Sequence, residues 1–136
     1  EAARGLDVPF VVTARAEGVL RGKHDLAEAI RRLKAFEGVG ADVLYAPGLA
    51  TTDQVREVTG AVSRPVNVLA TKDFTVAELS AAGARRISLG GWNYMTAAGG
   101  FLKAARDIKE GGSFAVLSEA PRSRDVAQLM KAGTPS

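Results

Sequence analysis

The sequence contains no cysteine among its 136 residues and only one histidine. Without cysteine, the chain cannot form disulfide bonds, zinc–thiolate sites or a cysteine nucleophile, and the composition is compatible with a cytoplasmic protein. A single histidine cannot supply a histidine pair to a metal ion. His24 lies in a polar loop, where we expect a solvated side chain.

Long apolar runs and one-sided charge are also missing. No run approaches the roughly 18 apolar residues of a membrane span. Eighteen Lys and Arg against 15 Asp and Glu give a net charge of +3, and the cations are scattered without interleaved aromatics. We therefore expect neither a membrane nor a nucleic acid as partner. The hydrophobic content of 46% and charged content of 24% are ordinary for a globular domain.

The first residues, Glu1-Ala2-Ala3-Arg4, carry no initiator methionine and are typical of a helix interior. We expect the chain to be one part of a longer protein whose preceding residues lie upstream.

Four short apolar runs rich in β-branched residues recur along the chain, each closed by small or turn-forming residues. Continuous apolar runs of this length are typical of buried parallel strands. They predict strands over residues 9–14, 41–46, 65–70 and 85–90.

Helix signals lie between and after these runs. Asp25, Thr51 and Thr75 are each followed three residues later by Glu or Gln, the pattern of a helix start. A fourth helix is predicted over about residues 93–109, ending at Gly111-Gly112. Two further helical pieces are predicted over residues 113–119 and 124–131, separated by proline.

Strand and helix therefore alternate four times, which predicts an α/β fold with a parallel sheet. A weak internal repeat supports this order, because GADVLYAPG at residues 40–48 resembles GARRISLGG at residues 83–91. Four such units cannot close an eight-stranded barrel and are few for a doubly wound sheet. The chain is thus a small α/β domain or half of a larger fold.

The carboxyl ends of parallel strands carry the sites of α/β proteins, and the first strand ends in Arg15 and Glu17. Arginine has a fork of donors that fits a carboxylate or phosphate. These two residues are candidate catalytic residues, with Arg15 also a candidate substrate contact. The alternative is an ion pair that only covers the end of the sheet.

Three residues near the ends of the third and fourth runs are further candidate substrate contacts. Asn67 lies within its run, so its amide either bridges strands or contacts a substrate. Ser88 and Gly90 precede the fourth helix, where backbone N–H groups can approach an oxyanion. A tight turn explains the glycine equally well. Acidic residues fall mostly on helix surfaces, so we expect no metal ligands in this chain.

Four motifs in order, PFVVTARAE (residues 9–17), GADVLYAPG (40–48), PVNV (65–68) and GARRISLG (83–90), resemble the isocitrate lyase/phosphoenolpyruvate mutase superfamily. The similarity extends over about residues 1–120 and is greatest to the phosphoenolpyruvate phosphonomutase-like branch. It implies a (β/α)8 TIM barrel of which this chain supplies strands five to eight. Residues 1–112 would form the C-terminal half of the barrel, and residues 113–136 a helical extension able to swap onto a partner subunit.

The resemblance also implies chemistry. Members of the superfamily cleave a C–C or P–C bond of a small 2-oxo or 2-hydroxy acid and use Mg²⁺ to stabilise an enolpyruvate-like oxyanion. By resemblance, Arg15 holds the carboxylate or transferring group, Glu17 is the acidic residue after it, and Asn67 is a substrate contact. The Mg²⁺ ligands would belong to strands outside this chain. Pro47 stands where many members have Glu or His, which argues against isocitrate or methylisocitrate as substrate.

Two other interpretations stay open. The chain could be a catalytically incomplete half-barrel that serves as a scaffold or assembly component. A half-barrel leaves sheet edges uncovered, so we expect a homo-oligomer or a complementing N-terminal half. A flavodoxin-like or response-regulator-like domain ranks last, because it requires acidic residues where Arg15 stands.

Overall fold

The computed structural model describes residues 2–133. Two compact units are present, with the boundary between Gly90 and Gly91. The division predicted at residue 112, between the half-barrel and the C-terminal helical extension, stays a prediction. The first unit contains, after a short 3₁₀ helix, seven regular elements: β1 (Thr13–Arg15), α1 (Leu26–Gly38), β2 (Val43–Tyr45), α2 (Thr52–Ala61), β3 (Val66–Leu69), α3 (Val76–Ala81) and β4 (Arg86–Ser88).

The three predicted helix starts in this unit are confirmed, because each rests on a hydrogen bond between residues three apart. The side chains of Asp25 and Thr51 accept the backbone N–H of the residue three positions on, at 2.8 and 3.2 Å. Thr75 and Glu78 form a reciprocal capping box. Local donors and acceptors of this kind are fixed by the sequence alone.

The strands are shorter than predicted. β1 covers Thr13–Arg15 instead of residues 9–14. Pro9 has no N–H to donate, and pairing with β2 starts only where the carbonyl of Val12 accepts from the N–H of Asp42 and Val43. β4 covers Arg86–Ser88 instead of residues 85–90. The ends of a strand depend on where hydrogen bonding to its partner strand begins and stops. Sequence periodicity carries no information about that pairing.

A hydrogen-bonded carboxylate fastens the start of the chain to β2. Ala2–Gly5 form a 3₁₀ helix where the sequence predicted the interior of an α-helix. Asp42 accepts the N–H of Val12 and the guanidinium of Arg4, each at 2.9 Å. The Val12 N–H, followed by Arg4, lowers the pKa of Asp42. These contacts explain how a short segment without a buried residue keeps its place.

All four strands are parallel and lie in the order β1-β2-β3-β4. Sequential order is that of a (β/α)8 barrel, whereas a flavodoxin-like sheet has the order 2-1-3-4-5. The flavodoxin-like alternative is therefore wrong. Helices α1 and α2 contact each other, as do α2 and α3. The core between these helices and the sheet contains fully buried aliphatic side chains: Leu33, Leu44, Val55, Val58, Val66, Val68 and Leu79.

The other face of the sheet is polar. Arg15 pairs in register with Tyr45, Tyr45 with Asn67, and Asn67 with Arg86. Residues in register on parallel strands point to the same side of a sheet, and alternate residues of a strand share a face. We call this side the polar face; it comprises six residues with polar groups and two aliphatic ones: Thr13, Arg15, Tyr45, Asn67, Arg86, Ser88, Val43 and Leu69.

The second unit contains α4 (Trp92–Gly111), a 3₁₀ helix (Ala115–Glu119) and α5 (Ser123–Ala132), and none of these has a buried residue. The predicted end of the fourth helix is confirmed by Gly112, which adopts a left-handed φ of 61° and donates to the carbonyl of Ile108. The helical piece predicted over residues 113–119 is a 3₁₀ helix over Ala115–Glu119, and the piece predicted over residues 124–131 is confirmed as α5. Within residues 2–133, no helix has the length and apolar character needed to cross a membrane. The last three residues of the predicted extension lie outside the described residues.

Candidate functional site

Arg15 and Tyr45 meet at the carboxyl ends of β1 and β2. The guanidinium carbon of Arg15 lies 4.7 Å from the centre of the Tyr45 ring, within the range of a cation–π contact. Tyr45 is 8% exposed, whereas half of the Arg15 side chain is exposed. A buried ring thus supports a cation whose other donors reach solvent.

Glu17 lies between two arginines. One carboxylate oxygen is in an ion pair with Arg15, and the other lies 3.8 Å from Nε of Arg21. The structure therefore brings the two candidate catalytic residues together, in the ion pair that the sequence left as the alternative to a catalytic role. The ion pair with Glu17 orients the Arg15 guanidinium. A catalytic or substrate-binding role for Arg15 stays a prediction.

Asn67 is fully buried and bridges two strands. Its Oδ1 accepts from Nη1 of Arg86 at 2.7 Å, and its Nδ2 donates to Oγ of Ser88 at 3.0 Å. Ser88 also approaches the carbonyl of Val68 at 3.4 Å. The bridging alternative for Asn67 is thus present, and two of the candidate substrate contacts touch each other. Two strand spacings, about 10 Å, separate the Asn67 backbone from that of Arg15.

Two residues of the polar face escaped the sequence reasoning. The second run ends at Tyr45-Ala46 without a charged side chain, and Arg86 is one of the cations scattered along the sequence, so neither Tyr45 nor Arg86 stands out in the sequence. The period of two in the fourth run places Arg86 on the same side as Ser88. That signal, combined with a polar Asn67 in the neighbouring run, could have identified Arg86.

The loop after β1 holds His24 near this end of the sheet. The imidazole ring packs against Gly18, where an added Cβ would lie 1.8 Å from Cδ2 of His24. The backbone N–H groups of Lys23 and His24 both donate to the Gly18 carbonyl. His24 is partly buried, so the expectation of a simply solvated side chain is wrong. It follows Glu17 along the same loop.

Gly90 follows β4 with a left-handed φ of 55°. A Cβ added here would lie 3.3 Å from Cδ1 of Leu69. Both observations fit the tight-turn interpretation. The anion-binding role for this residue stays a prediction.

The polar face does not fit a divalent cation. Mg²⁺ prefers carboxylate and water oxygens, whereas the charged side chains here are Arg15 and Arg86. Both oxygens of the neighbouring carboxylate, Glu17, face arginines. Across residues 2–133, no group of three or more His, Asp or Glu is arranged to hold a metal ion.

Comparison with known proteins assigns the family. The sequence model of the phosphoenolpyruvate phosphomutase family matches residues 1–109. The chain belongs to this family. A protein of Burkholderia cenocepacia J2315 described as a lyase/mutase has a solved structure that is 40% identical, with a TM-score of 0.89 over 99% of this chain and 49% of that one. An uncharacterized protein of Mycobacterium tuberculosis is 30% identical over 81% of this chain and 40% of its own length.

More distant structures agree on the fold alone. The phosphoenolpyruvate phosphomutase of Streptomyces platensis subsp. rosaceus is 23% identical, with a TM-score of 0.71 over 90% of this chain and 44% of that one. The family match confirms the resemblance to the phosphoenolpyruvate mutase family, and the solved structures confirm the TIM-barrel-type fold. The phosphomutase-family chain spans about half the length of the solved structures it matches.

Proposed function

We propose that this phosphomutase-family chain supplies the anion-binding side of a lyase or mutase active site that cleaves a C–C or P–C bond of a small 2-oxo or 2-hydroxy acid. Candidate substrates are oxaloacetate, phosphonopyruvate and a carboxyphosphonoenolpyruvate-like acid. The observation that carries the proposal is the position of Arg15 on the polar face, at the carboxyl end of its strand. That end is where TIM-barrel enzymes bind their substrates.

Arg15 has the chemistry of a carboxylate anchor. Its planar fork can donate two parallel hydrogen bonds to a carboxylate. One donor is held by Glu17 and the guanidinium rests over Tyr45, so the cation is oriented before an anion arrives. Preorganised charge of this kind lowers the cost of binding, because few rotamers are lost on association.

Asn67 and Arg86 provide a second polar pair in the same row of the sheet. Both ends of the Asn67 amide contact β4, since Oδ1 accepts from Arg86 and Nδ2 donates to Ser88, and these two hydrogen bonds fix its orientation. A substrate with two anionic groups, such as a dicarboxylate or a phosphonate-bearing acid, would meet Arg15 and this pair at different points. Arg86 is therefore an added candidate for substrate selection.

The superfamily resemblance implies Mg²⁺, but the donors described above do not fit it. In this proposal the chain contributes anion binding and no metal ligand. The expected ligands belong to strands outside it, and Mg²⁺ dependence of the whole protein remains part of the proposal.

The test uses the whole protein that contains this chain. We expect Mg²⁺-dependent cleavage of at least one of the three candidate acids, and loss of most of that activity in Arg15→Ala. Arg31→Ala is the matched control, because Arg31 pairs with Glu28 on the exposed side of α1. Equal activity of the wild type and Arg15→Ala would exclude the role given to Arg15.

A second candidate is that these 136 residues alone are a catalytically incomplete half-barrel that acts as a scaffold. The cation-rich donor set of the polar face favours it, because bond cleavage would need groups from elsewhere. This candidate requires self-association or a complementing N-terminal half. It predicts no turnover by the 136-residue chain with Mg²⁺ and an oligomer by light scattering. Turnover by a monomer would exclude it. A cytoplasmic location is expected for both candidates.

A further inference from the structure

A cavity opens at the amino end of the sheet, away from the strand ends that carry Arg15 and Ser88. It has a volume of about 470 Å³ and lies between the loop that leads into β3 and the loop that leads into β4. Ligand pockets of small molecules occupy roughly 300–1,000 Å³. The cavity is thus large enough for a small metabolite.

Three arginines line this cavity. Arg56 lies on α2, Arg64 precedes β3 and Arg85 precedes β4, and no acidic residue is among the lining residues. Arg56 pairs with Asp53 at 2.5 Å. Among residues 2–133, neither Arg64 nor Arg85 has a carboxylate within ion-pair distance. Two guanidinium groups are thus left for an outside anion.

The walls are fixed without a ligand. One oxygen of Glu37 accepts the N–H of Ser63, the hydroxyl of Ser63 and the N–H of Arg64, at 2.6–2.9 Å. Thr59 donates to the carbonyl of Ala82 at 2.7 Å and so joins α2 to the second loop. The hydrogen bond from the Ser63 hydroxyl, followed by the backbone N–H groups of Ser63 and Arg64, lowers the pKa of Glu37, so this carboxylate stays charged. The charge of Arg64 adds to the lowering without an ion pair between the two side chains.

Stabilising helix ends is the simplest other role for these arginines. Cations near the carboxyl ends of α2 and α3 interact favourably with the partial negative charge of the helix dipoles there. That role requires one cation near each helix end. It does not require that cations from three separate segments share one cavity.

We propose that this cavity binds the phosphate group of a small phosphorylated metabolite or free inorganic phosphate, at a site separate from the strand ends that carry Arg15 and Ser88. Arginine forks match phosphate oxygens in geometry and charge. In TIM barrels the amino end of the strands does not hold the chemistry. A ligand here would act as an effector or stabiliser, and the inference does not depend on the proposed function.

The test is an NMR titration of the 136-residue chain with inorganic phosphate and, separately, with glycerol 3-phosphate. Sodium chloride at matched ionic strength is the blank. We expect saturable shifts at the amides of residues 63–66 and 83–85. Tighter binding of the ester than of inorganic phosphate would identify a metabolite site, and equal or weaker binding of the ester would identify a site for free phosphate.

Arg64→Gln and Arg85→Gln should each weaken binding by about tenfold or more, because each removes hydrogen bonds to a charged group. Both side chains are exposed, so the variants should fold; Arg31→Gln removes the same charge from α1 and should leave binding unchanged. Shifts spread over all basic residues, or equal binding by the variants and the wild type, would overturn the proposal and indicate an adventitious ion only.

Discussion

Nη1 of Arg86 donates a 2.7 Å hydrogen bond to Oδ1 of Asn67, and the two residues are paired in register on neighbouring strands. A guanidinium on one strand thereby orients a fully buried amide on the next. This pair, with Arg15 and Tyr45 in the same row, gives the polar face its chemical character.

Asn67→Ala should destabilise the first unit by about 1–3 kcal/mol, because Arg86 and Ser88 both lose a buried partner. Urea unfolding of the 136-residue chain measures the change. Asn93→Ala, at an exposed position on α4, is the control and should have little effect. An equally small effect of both substitutions would contradict the bridging role of Asn67.

Thr75→Ala should lower the free energy of unfolding by about 1 kcal/mol, since it removes the capping box of α3. The same substitution should raise the hydrogen-exchange rates of the backbone amides in the first turn of α3. Ser80→Ala tests the same helix at an exposed residue with no capping role, and should be neutral or slightly stabilising because alanine favours helices. A larger loss from Ser80→Ala than from Thr75→Ala would contradict the capping assignment.

Gly83→Ala and Gly60→Ala should change stability in opposite directions. Gly83 has a φ of 93°, and a Cβ there would lie 2.7 Å from the Thr59 hydroxyl. Left-handed backbone alone costs a non-glycine residue roughly 1–2 kcal/mol. Gly60 lies in α2 with open space around it, so alanine should stabilise by about 0.5–1 kcal/mol. Thermal unfolding measures both, and two shifts of the same sign would contradict this account.

Acid should destabilise the first unit through carboxylates that accept hydrogen bonds. The pKa of Glu28 falls from 4.5 to about 2, first through the hydrogen bond from Arg31 and then through that from Arg32. Hydrogen bonds also lower the pKa of three others: Glu37, Asp42 and Glu78. These carboxyl groups have lower pKa values in the folded state than in the unfolded state. Their stabilisation of the fold is therefore complete when the pH is above the unfolded-state pKa, and it is lost as the pH falls through the folded-state pKa.

NMR titration of the Glu28 carboxyl carbon checks this directly. In Arg31→Gln/Arg32→Gln its pKa should rise towards 4.5, and the fall of the urea midpoint between about pH 4.5 and 2 should become shallower. A wild-type Glu28 that titrates near 4.5 would be the contrary result.

The sequence was sufficient for features that depend on near neighbours. Asp25, Thr51 and Thr75 cap their helices as predicted because donor and acceptor are three residues apart. The apolar runs predicted the order of strands and helices. The family motifs, and not the composition, predicted that these elements belong to a barrel.

Features that depend on register could not be read from the chain. The first strand is three residues long because its pairing with β2 begins only at Val12. Tyr45 joins the site because strand pairing aligns it with Arg15 and Asn67. The period of two indicates the side of the sheet on which Arg86 lies, but its pairing with Asn67 comes from the register. The contact between His24 and Gly18 depends on a loop conformation that has no periodic signal.

The central claim is that Arg15 anchors the anionic end of a small 2-oxo acid. Its most direct test is the dissociation constant of oxalate, measured by calorimetry on the whole protein with Mg²⁺. We predict that Arg15→Ala weakens oxalate binding by about tenfold or more, as expected for a lost charge-assisted hydrogen bond, while Arg31→Ala binds as the wild type does. Oxalate affinity that is the same in all three proteins would contradict the account.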